Sequence, residues 1–347
     1  GGMRATLLAA LALAAAGHAG PAEPSALVQV LRLSGESLDR LGPARPDEAG
    51  TPVVMMHGMG DFAENPMGMG PVRRLVARET GAHVHSAELC SRPEQLSDCP
   101  TEDQSNGFLM TMDDQVDQFA RVVRSDPKLA RGFNAIGFSQ GSLVVRGYIH
   151  RYNEPPVRTF LSVHGVLMGV AGLPQCPEDI VGLGLVCRVV ARLAGFGCYT
   201  QFVQERLAQA NYYRDPENLD SYRSEAHFLP YVNNEVQGKQ NATYKANFAS
   251  LERLVLVMAE DDTMVHPKES EHFGYLADGS QESVVRMREA PWYAEDWFGL
   301  RTLDVAGKVD LYSTPGNHLK VTDAFLVDML HKYFRAPPDA ESLPVVV

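Results

Sequence analysis

The pentapeptide Gly137-Phe138-Ser139-Gln140-Gly141 sets a serine between two glycines, directly after the apolar run 133–138 and directly before a stretch with helical spacing. This is the G-x-S-x-G arrangement of a nucleophile elbow. The glycines allow a tight strand-to-helix turn that exposes the hydroxyl, and the following helix aims its positive end and the Gln140 N–H at the same spot. A bare pentapeptide of this kind also occurs in ordinary surface turns. The strand before it and the helix after it favour a chemical role for Ser139.

A serine hydroxyl attacks when a base takes its proton, and the base needs an acid to orient it. On this kind of turn the three follow in the chain order Ser, Asp, His. Asp261 and Asp262 both stand just past the apolar run 253–258, and sequence context does not choose between them. Among eleven histidines, His318 alone occupies a glycine-containing loop between the last strand-like run, 308–313, and the closing helical stretch 322–334. His150, His227, His272 and His331 read as surface or satisfied core residues. Acyl transfer also needs donors for the oxyanion, and losing one side-chain donor of that kind costs about 3–4 kcal/mol. The Gln140 N–H is one such donor. The loop His57-Gly58-Met59, which follows the strand-like run 51–56, offers the Met59 backbone as the second, although such a loop is also an ordinary glycine turn.

These groups meet only if a common scaffold brings their loops to one edge. Strand-like runs at 51–56, 83–89, 133–138, 157–163, 253–258 and 308–313 alternate with helical stretches at 71–79, 113–123, 140–152 and 322–334. That order builds a mostly parallel sheet with helices on both faces, and with the elbow on one of its strands we expect the α/β-hydrolase fold. The pattern loosens over 169–250, which reads as a helical insertion covering the carboxyl edge of the sheet, with a helix over 201–210. We expect a single domain over 20–335, a signal peptide over 1–19 and a flexible tail over 336–347. The leader reading rests on Arg4, the apolar run 5–16 and small residues near Ala19. That run is too short to span a bilayer, and no later stretch approaches the length of a transmembrane helix.

The 31 basic and 43 acidic residues give a net charge of -12, without the basic excess that neutralises phosphates, so nucleic acid is excluded as a partner. A secretory leader makes disulfides possible. The local pairs Cys90–Cys99 and Cys176–Cys187 are expected, leaving Cys198 odd. No CxxC pair repeats, so no metal site is expected, and the serine chemistry calls for no cofactor. Asn241-Ala242-Thr243 is an N-glycosylation sequon, which predicts a surface position for Asn241.

Further motifs extend the reading: "HGMGD" at 57–61, "GFNAIGFSQG" at 132–141, "GLPQCP" at 172–177, "VQERLAQANYYRDP" at 203–216, "LPYVNNE" at 229–235, "DDTMVHP" at 261–267 and "GNHL" at 316–319. In these, and over residues from about 50 to 335, the chain resembles the palmitoyl-protein thioesterase family, most closely its lysosomal type 1 members. The resemblance implies Ser139 as nucleophile, Asp262 rather than Asp261 as acid, His318 as base, and Met59 and Gln140 as backbone oxyanion donors. It also implies the Cys176–Cys187 bridge and strengthens the reading of Asn241 as glycosylated. The chain departs from the family pattern at Ser142, where members have glycine, at His266, where they have aspartate, and at Phe62-Ala63, where they have two cysteines. They also carry a cysteine in the helix before the nucleophile strand, which this chain lacks.

The expected activity is hydrolysis of S-palmitoyl or other long-chain acyl thioesters on cysteines of proteins or peptides, in the secretory pathway and most specifically the lysosome. Burying about 14 methylenes bounds the acyl-chain contribution near 11 kcal/mol, much of it offset by ordering. Leu183, Leu185, Val186, Val189, Val190, Leu193 and Phe196 either line the groove that would do so or simply pack the insertion onto the sheet. Since the base must be neutral and an imidazole has a reference pKa of about 6.5, acylation is expected to slow at lysosomal acidity. Two other readings use the same residues. A lipase or carboxylesterase would act on oxygen esters, and an inactive hydrolase fold would serve as a binding protein.

Overall fold

Six apolar runs form one parallel sheet in the computed structural model, which describes residues 50–90, 99–172 and 197–335. The strands are β1 (Val53–Met56), β2 (Val84–Ala87), β3 (Phe133–Phe138), β4 (Val157–Val163) and β5 (Arg253–Ala259). Two short strands, β6 (Tyr275–Leu276) and β7 (Val284–Val285), pair antiparallel outside the sheet, and β8 (Val309–Thr314) completes it. The order is β2-β1-β3-β4-β5-β8. This is the mostly parallel sheet expected from the alternation of elements, in the α/β-hydrolase fold.

Successive residues of each strand serve opposite faces. Val53, Met55, Ile136, Leu161, Val255 and Val257 pack with α1 (Met69–Thr80) and the closing helix on one side. Val54, Met56, Ala135, Phe160, Leu254 and Leu256 pack with the helices of the other side. Both faces are covered, so the central strands read as continuous apolar runs rather than alternating ones. In register, Met56 lies beside Gly137, Phe138 beside Val163, and Ala259 beside Thr314. The loops that leave β1, β3, β5 and β8 therefore emerge at one edge.

On the second face, α2 (Cys99–Leu109), α3 (Met112–Ser125) and α4 (Gln140–Arg151) follow in order. The Thr111 hydroxyl caps α3 by accepting from the Asp114 N–H. Helix α2 was not expected from the sequence, because Pro100, Gly107 and a run of polar residues hide its helical spacing. It is tied down by the Cys90–Cys99 disulfide, with Cα atoms 5.4 Å apart, and by the buried Asp103.

Where one helix over 201–210 was expected, the chain forms α5 (Gln201–Gln204) and α6 (Ala208–Asn211). The buried Gln204 amide breaks the run, donating to Cys198 O and Ala210 O while accepting from the Asn211 amide and the His227 N–H. Next come α7 (Leu219–Glu225), α8 (Leu229–Val232), α9 (Ala242–Ala249), α10 (Pro291–Ala294), α11 (Leu300–Val305) and α12 (Asp323–Tyr333). The described residues of the expected insertion reach the second face of the sheet. Helix α9 lies along α4, with the Phe248 ring stacked 4.7 Å from His150. Asn241 is exposed at the N-cap of α9. Cys198 is a free thiol whose pKa burial pushes up to about 11, which suppresses the thiolate. The expected leader, Cys176, Cys187, the apolar residues from Leu183 to Phe196 and the tail lie outside the described residues.

Arg146 on α4 is fully buried and joins these parts. Its guanidinium donates to Leu167 O, Val232 O and His150 Nε2, and it lies 4.6 Å over the Phe298 ring. Burial draws its pKa down to about 9, leaving a cation at neutral pH that the carbonyls and aromatic faces stabilise. Replacing it by alanine opens a cavity and strands two carbonyls. Arg146→Ala should therefore lower stability by about 3–5 kcal/mol, as read by denaturant unfolding.

Candidate active site

Ser139 directly follows β3 at φ 51°, a left-handed conformation that is uncommon for a residue with a side chain. Its N–H donates to Val163 O at 3.0 Å, and its carbonyl accepts from the Ser142 N–H at 3.0 Å. Glycine is required on both sides of it. A Cβ on Gly137 would sit 2.4 Å from Ser142 Cα, and one on Gly141 would sit 2.3 Å from His57 O.

His318 Nε2 lies 2.8 Å from Ser139 Oγ, and His318 Nδ1 lies 2.5 Å from Asp262 Oδ2. Asp262 follows β5 and His318 follows β8, so residues 139, 262 and 318 meet at the sheet's carboxyl edge. The Asp262 side chain is entirely buried and that of His318 is 11% exposed. Asp262 Oδ1 accepts from the N–H groups of Met264 and Val265 at 2.7 and 2.8 Å. Burial opposes the charge of Asp262, but the His318 ring and these amides outweigh it and hold the carboxyl far below the usual range. Asp261 instead points to solvent, and its backbone N–H donates to Gly316 O.

His318 is steadied from two sides. The Asn317 side-chain oxygen accepts from Thr263 N–H and from the His318 N–H, joining the Asp262 loop to the His318 loop. His164, fully buried after β4, accepts the Leu319 N–H on Nδ1 and donates from Nε2 to Thr314 Oγ1. Accepting on one nitrogen fixes this ring as neutral. Burial agrees, lowering its pKa to about 3.

Met59 follows β1, and Gln140 is the first residue of α4, whose leading N–H groups have no intrahelical partner. His57 anchors the Met59 loop. Its ring nitrogens face Gly58 O and Asp103 Oδ1, both at 2.9 Å, and since both partners accept, both nitrogens carry protons. Burial lowers the pKa of this ring, but Asp103 more than compensates and raises it. Asp103 also accepts from the N–H groups of Ala63 and Leu89. The loop thus contains a buried ion pair, which the sequence reading missed.

A second feature missed from sequence is the Gln140 side chain, since only its backbone N–H was given a role there. It is 2% exposed and every amide position is used. Its Nε2 donates to Gly107 O and Gln115 Oε1, and its Oε1 accepts from Gln209 Nε2 and the Tyr212 hydroxyl, all at 2.8–3.0 Å. This network clamps the elbow to α2, α3 and the insertion. Buried amides resemble surface ones in a sequence, so only their position on the inward face of α3 hinted at Gln115. Ser142 is fully buried, its hydroxyl finds no partner among the described residues, and nothing explains the serine there. His266 is exposed, and nothing in the structure explains its substitution either.

Two groups of donor atoms among the described residues are close enough to hold a cation. In His164, Asp262 and His318 every donor atom is already spent on the hydrogen bonds above, so they are not read as ligands. His83, His85 and Asp126 lie at the far end of β2, where the two rings share Asp126 Oδ2 as a hydrogen-bond acceptor.

A family model described as palmitoyl protein thioesterase matches residues 52–318, a span that contains all the loops of this edge. The chain belongs to that family. Palmitoyl-protein thioesterase 1 of Caenorhabditis elegans is 39% identical over 285 residues, covering 82% of this chain and 91% of its own. Palmitoyl-protein thioesterase 3 of Dictyostelium discoideum is 36% identical, over 77% and 84% of the two chains. Lysosomal thioesterase PPT2 of Rattus norvegicus is 32% identical, over 74% and 78%. In this thioesterase-family chain the Gln140 clamp yields a direct test. Gln140→Ala leaves Gln115, Gln209 and Tyr212 short of a partner, and should cost about 2–4 kcal/mol of stability in denaturant unfolding.

Proposed function

We propose that the chain hydrolyses long-chain S-acyl thioesters, S-palmitoyl cysteine in proteins or peptides above all, through an acyl-serine intermediate. The observation that carries this reading is the hydrogen-bonded series Ser139 Oγ, His318 Nε2, His318 Nδ1, Asp262 Oδ2 in a member of the palmitoyl protein thioesterase family. His318 takes the Ser139 proton as Oγ attacks the thioester carbonyl, and the Met59 and Gln140 N–H groups receive the oxyanion. Collapse of the tetrahedral species breaks the C–S bond, and His318 returns the proton to the leaving sulfur. A thiol of pKa about 8.5 leaves more readily than an alcohol. Water, deprotonated by the same imidazole, then releases the fatty acid and restores Ser139.

The expected single domain and its insertion carry this site. The Cys90–Cys99 disulfide and the exposed Asn241 sequon support a secretory route with Asn241 glycosylated, and the name of the rat relative supports the lysosome as destination. No helix of the described residues is long and apolar enough to cross a membrane.

The deciding experiment compares acyl-cysteine peptides of graded chain length on the wild type and on Ser139→Ala. The variant should lose at least about 10⁴-fold in kcat and should not react with a fluorophosphonate. Full activity in Ser139→Ala would overturn the assignment. Faster turnover of palmitoyl oxygen esters than of the matching thioesters would make the chain a carboxylesterase instead, and a wild type inert to both would make it a binding protein. Because the base must be neutral, single-turnover acylation should slow as the pH is lowered. A flat profile would remove the imidazole from that role.

A further inference from the structure

Glu271 lies in the 3₁₀ turn Lys268–His272 and is completely buried. Its Oε2 accepts from the N–H of Ala259, the last residue of β5, at 2.8 Å. Its Oε1 is also shut off from solvent, and no donor among the described residues reaches it. Within hydrogen-bond reach is a second carboxyl group, that of Asp262. Two desolvated carboxylates cannot face each other without a shared proton. We propose that Glu271 is a positioning residue that stays protonated and donates its carboxyl proton to Asp262, extending the series Ser139–His318–Asp262 by a fourth member.

The donors decide which carboxyl keeps the proton. Asp262 accepts from the Met264 and Val265 amides and from His318, whereas Glu271 accepts from one amide. The better-solvated partner carries the charge. Glu271 also has acidic groups as its neighbours, Asp262 from the loop after β5 and Glu269 from its own turn, while β5 gives it the Ala259 N–H and His318 lies on the other carboxylate oxygen of Asp262 from the Met264 and Val265 amides. Burial, followed by Asp262, pushes its pKa up to about 11. A neutral acid there would orient Asp262 and draw off part of its charge without cancelling it. The imidazolium formed during acylation would then be stabilised, but not so strongly that the base is locked in its protonated form.

The functional part of this proposal rests on the thioesterase reading, whereas its proton count does not. In the unfolded chain Glu271 ionises near its ordinary value, and in the folded chain it stays protonated, so the folded state holds one extra proton between the two. Raising the pH from 5 to 8 should therefore lower the wild-type Tm relative to that of Glu271→Gln, whose amide cannot ionise. Parallel Tm curves for the two proteins would overturn the proposal whatever the enzyme's activity.

In kinetics, Glu271→Gln, a neutral donor of the same shape, should keep kcat within about threefold and leave the pH profile in place. Glu271→Leu should lower kcat at least about tenfold with little change in KM. It should also move the acid limb of activity to higher pH, because Asp262 with one donor fewer holds the imidazolium more tightly. An acid limb that moves to lower pH in Glu271→Gln would mean that an ionised Glu271 had been lost, and would refute the neutral form. An unchanged kcat in Glu271→Leu would refute the positioning role. If the leucine variant does not fold, the Tm comparison with Glu271→Gln still decides the proton.

Discussion

Holding Ser139 at φ 51° costs about 1–3 kcal/mol, and the elbow's contacts have to supply it. The strain is offset by the Ser139 N–H on Val163 O, by the Ser142 N–H on Ser139 O, and by an approach between β1 and α4 that leaves no room for a Cβ at Gly141. That approach dictates much else. The start of α4 sits against the end of β1, which brings the Met59 loop to the serine. The Gln140 amide is consequently turned inward, where Gly107, Gln115, Gln209 and Tyr212 must satisfy it. The sheet order then sets β5 and β8 beyond β4, and their loops bring Asp262 and His318.

Charge is distributed unevenly around this strained turn. An imidazolium–carboxylate pair, His57 with Asp103, lies in the loop on the β1 side. On the other side His164 is neutral and Asp262 ionised. Each state follows from what the neighbouring atoms donate or accept. His57 meets two acceptors and must carry two protons, while His164 meets a backbone donor and can carry only one.

The central strands were legible in the sequence as continuous apolar runs, and the main helices because each buries a periodic apolar face. The Ser139, Asp262 and His318 loops were legible because each directly follows a strong strand. Sequence context alone could not separate Asp261 from Asp262, since one residue of rotation decides which carboxyl faces inward. That rotation is fixed by the Asp261 N–H on Gly316 O, a contact 55 residues away in the chain. Helix α2, Asp103, Gln204, Gln209 and Glu271 stayed hidden for a common reason. Each is a polar residue or segment whose burial depends on partners distant in sequence, and in isolation it looks like surface.

Asn317 joins the Asp262 loop to the His318 loop through one side chain, with its amide nitrogen also donating to Thr263 Oγ1. Asp262 and His318 lie 56 residues apart in the chain, yet their loops are tied into a single part. Exchange of segments between related enzymes would therefore not respect the boundaries of strands. A donor segment carrying the acid without its matching base loop would arrive with half a joint, so the two should be inherited together or not at all.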